Sequence, residues 1–277
     1  MSLLPPNVWK SLLRREPADA PGSALYDPLL APATAADGCF VLCRIAQSLD
    51  GRIATVSGQS RWISGKADLE HTHRLRALSD AILVGAGTVR ADNPQLTTRE
   101  VEGPSPVRVI LDPARRLDDR YQVFRDGPPT LLVCAAGLVC AAGLACAAGL
   151  AHEAGTPGPE RLGHAEVLPV AMNGAGIDLP ALLVTLAGRG LRRIFVEGGG
   201  VTVSRFLLAG IVDRLHVTIA PLLMGGGIPA FTFPPTDRLA DGMRFDWSVH
   251  RLGDDLLVDV PLGRHRPGLR VSGQPES

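Results

Sequence analysis

Lysine is nearly missing from this chain. Of 28 basic residues only Lys10 and Lys66 are lysines, and the 28 acidic residues leave no net charge. Without a basic excess, nucleic acid and anionic membrane surfaces are not the expected partners. Arginine takes the cationic role throughout, beside abundant alanine, glycine and proline, which fits a genomic composition bias. Aromatic residues are scarce at 4%, with three tryptophans. No apolar run approaches the length of a membrane span. The opening MSLLPPNVWKSLLRREP puts prolines and charges where a signal peptide needs an unbroken apolar core. A reducing cytoplasm is the expected compartment.

Other absences narrow the chemistry. Five cysteines occur, at 39, 43, 134, 140 and 146, an odd number without a Cys-x-x-Cys pair. A disulfide framework or structural zinc site is not expected. His71 and His73 are two apart, so they do not share a helix face, and neither belongs to His-Glu-x-x-His. No Gly-Lys-Ser/Thr phosphate loop and no Gly-x-Ser-x-Gly elbow is present, so Walker-type nucleotide hydrolysis and serine hydrolysis are not indicated. A metal-free, nucleophile-poor chain with glycine turns fits hydride transfer, in which a cofactor supplies the chemistry.

With 45% apolar residues the chain can build a sizeable core. Residues 1–37 read as an N-terminal arm with a short helix over Val8–Arg15, 38–263 as the folded domain, and 264–277 as a flexible tail. Strands are expected over 39–46, 81–84, 107–111, 130–133, 193–196 and 215–220. Helices are expected over 66–78, with Ser64 as N-cap and Leu69, Leu75 and Leu78 among its apolar positions, and over 201–209. A hairpin is expected from 245–252 and 256–260, turning at Gly253–Asp255. Alternating strands and helices closed by a hairpin predict an α/β fold with a mixed sheet covered by helices. One segment is odd: residues 134–150 carry three near copies of Cys-Ala-Ala-Gly-Leu. The six-residue spacing matches no helical period and reads as duplication within a surface helix or loop.

Two segments carry the functional signal. FVEGGGVTVSRFL (195–207) places Glu197 at a strand end. The glycines after it admit close backbone approach, and a helix start follows whose free N–H groups suit a phosphate. Val203 stands where the Gly-x-Gly-x-x-Gly fingerprint requires its third glycine. Residues 48–99 hold the second signal. There Asp50-Gly51 reads as a turn, and Trp62 lies on a loop where its ring can stack on a planar cofactor. Thr88 and Arg99 bracket a proline-containing turn with Asp92, and a carboxylate and a guanidinium so placed can orient a polar substrate. The competing readings are a tryptophan plugging the core edge and an aspartate capping its own turn.

The segments RIAQSLDG (44–51), QSRWIS (59–64), DAILVGAGTVRADNPQLTTR (80–99), VEGGG (196–200) and DRLHVTIAPLLMGGG (213–227) together resemble the pyrimidine reductase domain of bacterial riboflavin biosynthesis. The resemblance runs from about Cys39 to Leu262. It implies a dihydrofolate reductase-like three-layer fold, a homodimer, and hydride transfer from NADPH to the ribosyl C1′ of 5-amino-6-(5-phosphoribosylamino)uracil. By motif, Ala46, Trp62, Ser64, Thr88 and Asp92 would face the cofactor, and Gly199, Gly200, Val201 and Thr202, within 199–205, would hold its phosphates. Ser60, Arg76, Leu96, Arg99 and Glu197 would face the substrate, with Arg76 and Arg99 as clamps on its 5′-phosphate. Asp92 and Glu197 are the candidate proton-handling groups, and Arg115 or Arg116 the candidate contact for a cofactor 2′-phosphate. No metal is implied. The family usually has lysine where this chain has Arg44, which keeps the charge but donates a proton poorly. No His-x-Glu or Pro-Cys-x-x-Cys deaminase signature occurs, so a separate deaminase is expected. Two alternatives stay open: a reductase of the same fold acting on a pterin or another heterocycle, and a nucleotide-binding protein without catalysis.

Overall fold

The structure, a computed structural model, describes residues 4–137, 161–174 and 176–264. The repeat from Cys140 onward and the tail after Arg264 lie outside them. A first helix α1 (Pro6–Leu13) precedes β1 (Phe40–Ser48), α2 (Lys66–Leu78), β2 (Ala81–Gly85), α3 (Ala86–Asp92), β3 (Val107–Leu111), β4 (Thr130–Ala135) and β5 (Ala165–Val170). Then come α4 (Leu179–Gly188), β6 (Arg193–Glu197), α5 (Gly200–Leu208), β7 (Arg214–Ala220), β8 (Ser248–Leu252) and β9 (Asp255–Pro261).

These strands form one sheet in the order β8-β9-β7-β1-β6-β2-β3-β4-β5, with the two-residue strand Arg161–Leu162 outside β5. From β7 to β5 all neighbours are parallel, and the β8–β9 hairpin adds antiparallel strands at one edge. The burial of the parallel strands explains their sequences. Val41–Ile45, Ala81–Val84 and Thr130–Ala135 are buried without a break, as strands covered on both faces must be. Alternate residues serve opposite layers. Val41, Cys43, Leu83, Val109, Val133 and Val196 pack with α4 and α5. Leu42, Ile82, Ile110, Leu132 and Phe195 pack with α1 and α2. The mixed sheet, the helices on both faces and the closing hairpin therefore agree with expectation.

Four local expectations need correction. The N-terminal arm is part of the core: Trp9, Leu12, Leu25, Tyr26 and Leu29 are buried in the α1–α2 layer, and Arg74 stacks over the Trp9 ring. The α2 N-cap is Gly65, not Ser64, whose hydroxyl instead donates to Asp68 inside the first turn. Thr88 and Asp92 sit on the short helix α3 and not on a turn. Arg264, assigned to a flexible tail, donates to the Asp37 and Asp213 carboxylates and to the Cys39 carbonyl, tying the last described residue to the start of β1.

Helix α2 departs most from its apolar pattern. Asp68, His71, Thr72, His73, Arg74 and Arg76 are all buried, and Leu69 is only half-buried. Polar groups at such depth need partners, and a chain of them runs through the layer. Tyr26 Oη lies 2.8 Å from His71 Nδ1, His71 Nε2 lies 3.1 Å from His216 Nδ1, and His216 Nε2 lies 3.4 Å from Asp259 Oδ1.

Burial holds the His71 and His216 imidazoles below their ordinary range, and burial together with Arg76 and Arg99 pushes His73 down to about 3. All three fold in the neutral form. As pH falls through the unfolded-chain value near 6.5, the unfolded state takes up protons that the folded state refuses. The stability these residues confer is intact above that pH and drains away below it, at up to about 1.4 kcal/mol per pH unit for each histidine. Urea unfolding should show a clear fall in midpoint from pH 7.5 to 5.5. A flat profile across that window would contradict neutral burial.

Candidate active site

The carboxyl ends of β1, β6 and β2 open into one cavity of about 1150 Å³. Open parallel sheets bind ligands at this end. Ala46, Ser60, Trp62, Ser64, Thr88 and Asp92 line it. So do Arg76, Leu96, Arg99 and Glu197, together with the N-cap Gly199 and, on α5, Gly200, Val201, Thr202 and Arg205. The residues expected at the site, scattered from 46 to 205, are thus brought together. Val203 and Ser204, which fall inside the expected 199–205 run, are buried on α5 and do not line the cavity.

Close backbone approach shapes the glycine side. Gly199 caps α5 at φ +73°, in the left-handed region that favours glycine. A Cβ on Gly199 would stand 2.9 Å from Thr88 Oγ1. One on Gly200 would meet the carbonyl oxygens of Ala230 and Pro229 at 2.5 and 2.8 Å. The two hydroxyls, Thr88 and Thr202, and the unpaired N–H groups of the first α5 turn suit the phosphates of a dinucleotide. Trp62 is 82% exposed with φ +69°, so it does not plug the core. A left-handed tryptophan at a cavity rim stores strain that a stacking role would explain.

A second group of lining residues is built on charge. Arg76 Nε and Nη2 donate to the two Glu197 oxygens at 2.8 and 2.6 Å, and Nη1 donates to the Thr97 carbonyl at 2.9 Å. Burial alone would raise the Glu197 carboxyl, but the Arg76 fork outweighs it and the net shift is downward. Two expectations change as a result. Arg76 is not free to clamp a phosphate, because its fork is occupied. Glu197 is an ionised acceptor and not a proton donor. Arg99, whose side chain is 48% exposed and 3.9 Å from Glu100, keeps its guanidinium available. Asp92 Oδ1 accepts from Ser60 Oγ at 2.6 Å. Of the candidate 2′-phosphate contacts, Arg115 is buried at φ +49° and away from the cavity, while Arg116 is exposed. It sits on the turn after Pro113, which lines the cavity.

Sequence reading missed several supports. Asp68 is a buried hub that accepts from Arg44, from Ser64 at 2.5 Å and from Thr218 at 2.7 Å. Arg44 lines the cavity with its Nε lacking a partner. The Ile228–Pro229 strand pairs with Arg52–Ala54 and leads into the backbone strap over Gly200. No short motif marks these contacts, and the Asp68–Thr218 and Ile228–Ala54 pairings join residues more than a hundred positions apart. Among the described residues no cluster of three or more His, Cys, Asp or Glu is placed to hold a metal, and no helix is long and apolar enough to cross a membrane.

Comparison with known proteins gives a consistent picture. Residues 39–245 match the family described as the RibD C-terminal domain. The chain is 36% identical over 234 residues to the 2,5-diamino-6-ribosylamino-4(3H)-pyrimidinone 5′-phosphate reductase of Methanothermobacter thermautotrophicus, covering 80% of this chain and 98% of that protein. It is 35% identical to the riboflavin biosynthesis protein RibD of Bacillus amyloliquefaciens over 68% of this chain, but spans only 47% of that longer protein. Among solved structures, the deaminase/5-amino-6-(5-phosphoribosylamino)uracil reductase of Thermotoga maritima superposes with a TM-score of 0.63 at 30% identity, covering 80% of this chain and 56% of that one.

Gly200→Ala tests the glycine corner. The methyl meets the backbone of residues 229 and 230, so it must displace that strap, at a cost of about 1–3 kcal/mol. We expect a lower melting temperature and at least tenfold weaker dinucleotide binding by calorimetry. Unchanged binding would show that the strap and the corner do not form the phosphate cradle.

Proposed function

The chain belongs to the RibD C-terminal domain family, and from that premise we propose that it reduces the ribosyl group of a ribosylaminopyrimidine 5′-phosphate to the ribityl product in riboflavin biosynthesis. Membership of a reductase family implies a nicotinamide cofactor, and we take it to be NADPH. The observation that carries the reading is the shared cavity. A glycine-cradled helix start with two threonine hydroxyls, an ionised Glu197 and an available Arg99 line a single space.

When bound, the nicotinamide supplies the hydride. The protein's part is positioning and proton traffic. Trp62 walls the ring, and the Gly199–Thr202 turn with Thr88 holds the diphosphate. Arg99 grips the substrate 5′-phosphate, and Glu197 accepts a hydrogen bond from a sugar hydroxyl. Opening the ribose moves the glycosylamine N–H proton to the ring oxygen. Reduction of the resulting C1′=N bond adds hydride at carbon and a proton at nitrogen. Asp92, coupled to the Ser60 hydroxyl at 2.6 Å, is the group proposed to assist these proton transfers. Arg116 is the proposed contact for the cofactor 2′-phosphate.

The archaeal relative named above is called a reductase of the 2-amino pyrimidinone, and the Thermotoga protein a reductase of the uracil. Both substrates present the same phosphorylated ribose to Arg99 and Glu197. Deamination is assigned to a separate protein or domain, and the cytoplasm is the proposed setting. A homodimer through the hairpin edge is supported by exposed Trp247, Val249 and Leu256.

The assay is NADPH oxidation with each pyrimidine. Arg99→Ala should raise KM for the phosphorylated substrate by about 100-fold, the worth of a charge-assisted contact of about 2–3 kcal/mol. A pterin substrate has no 5′-phosphate and would leave that variant's turnover unaltered. No oxidation with either pyrimidine by folded, cofactor-binding protein would end the reading. Separately, Arg116→Ala should raise KM for NADPH about tenfold and leave KM for NADH in place. An equal rise for both cofactors would remove Arg116 from the 2′-phosphate.

A further inference from the structure

His73 lies on α2 with no exposed surface, and neither the cofactor nor the proposed chemistry uses it. Its Nδ1 accepts the backbone N–H of Arg99 at 3.0 Å. That bond fixes the tautomer: a neutral ring accepting at Nδ1 carries its proton on Nε2. Nε2 faces Arg76 Nη1 at 3.4 Å, where both atoms are donors, so the contact there is packing. The groups that face the ring are Arg76, Arg99 and Glu197. The two guanidinium groups add to the effect of burial and keep the ring neutral, and Glu197 opposes them only in part.

The consequence falls on residues 97–99. Arg76 holds the Thr97 carbonyl at 2.9 Å, Ser105 Oγ accepts the Thr98 N–H at 3.0 Å, and His73 holds the Arg99 N–H. Three successive residues are thus fixed at the backbone, two of them by α2. The Arg99 side chain leaves this fixed stem and is half-exposed at the cavity. A long arginine loses rotamer freedom when it grips a ligand, and fixing its stem lowers that cost. The same helix also holds Glu197 through Arg76, so Arg99 and Glu197 share one reference frame.

We infer that His73 is a positioning residue for the substrate phosphate, acting through the Arg99 backbone to hold that guanidinium at a set distance from Glu197. The inference rests on the proposal that Arg99 grips the 5′-phosphate. His73→Leu removes the acceptor at similar volume. His73→Asn restores an amide oxygen near the Nδ1 position, and His73→Gln carries its amide past it. Each is assayed with the phosphorylated ribosylaminopyrimidine and with its dephosphorylated form, beside Arg99→Ala.

His73→Leu should raise KM for the phosphorylated substrate about tenfold, roughly one hydrogen bond's worth. Its kcat, its KM for NADPH and its kcat/KM on the dephosphorylated substrate should stay within about twofold of the parent. His73→Asn should recover most of the loss, and in the Arg99→Ala background His73→Leu should add nothing. Equal losses on both substrates, or no rescue by asparagine, would reduce His73 to a packing residue and overturn the inference. If His73→Leu does not fold, the asparagine–glutamine pair decides: the inference requires glutamine to lose phosphate discrimination and asparagine to keep it. If Arg99→Ala itself leaves phosphate discrimination intact, the reading of the cavity is at fault. If Arg99→Ala abolishes discrimination and His73→Leu does not, only the positioning role fails.

Discussion

The bidentate pair between Arg76 and Glu197 is the contact on which the charged part of the cavity depends. It joins the last turn of α2 to the carboxyl end of β6, through residues 121 positions apart in the chain. The third arm of the guanidinium reaches the Thr97 carbonyl, so the loop before Arg99 is fastened by the same group. Both partners are largely buried, with side-chain exposures of 7% and 19%. Breaking such a pair leaves an uncompensated charge and costs about 3–5 kcal/mol. The pair therefore sets geometry before it sets affinity. It keeps Glu197 ionised at the cavity, and it leaves Arg99 as a cation available to meet an anion.

The two halves of the cavity use different physical means. At the start of α5 the protein offers mainly backbone, in glycines that admit close approach and a helix start with unpaired N–H groups. Such groups need little ordering, because the sheet beneath already fixes them. Around Arg76, Arg99 and Glu197 it offers side chains, and these need support. That need accounts for the polar burial of α2. Asp68 gathers Arg44, Ser64 and Thr218, His73 and Arg76 hold the 97–99 loop, and His71 links the helix to Tyr26 and His216. A helix with so many interior polar groups is costly unless each is paired. The supporting contacts around the site provide most of that pairing.

Much of this architecture was legible from the residues. Apolar runs such as 107–111 and 193–196 announced strands, and 195–200 announced a strand running through glycines into a helix. The resemblance to the reductase family then gathered residues that do line one cavity. Other elements were hidden for identifiable reasons. Helix α3 read as a turn because Gly87, Asn93 and Pro94 crowd a seven-residue segment, and its end depends on Asn93 in a left-handed conformation. Helix α4 is apolar almost all round and offered no amphipathic period, although Asp178 caps it with a proline following. The β5 strand was masked by Pro169. The roles of Arg76 and Glu197 were assigned singly, because a pairing across more than a hundred residues has no local signature. Only the fold shows that the two neutralise each other.

The central claim is that this scaffold holds a dihydronicotinamide against C1′ of a phosphorylated ribosylamine. Isotope transfer tests it most directly. NADPH deuterated at C4 on the transferred face, incubated with the protein and the ribosylaminopyrimidine 5′-phosphate, should give a ribitylamino product with one deuterium at C1′, read by NMR and mass spectrometry. Product lacking deuterium, or carrying it at another carbon, would contradict the account.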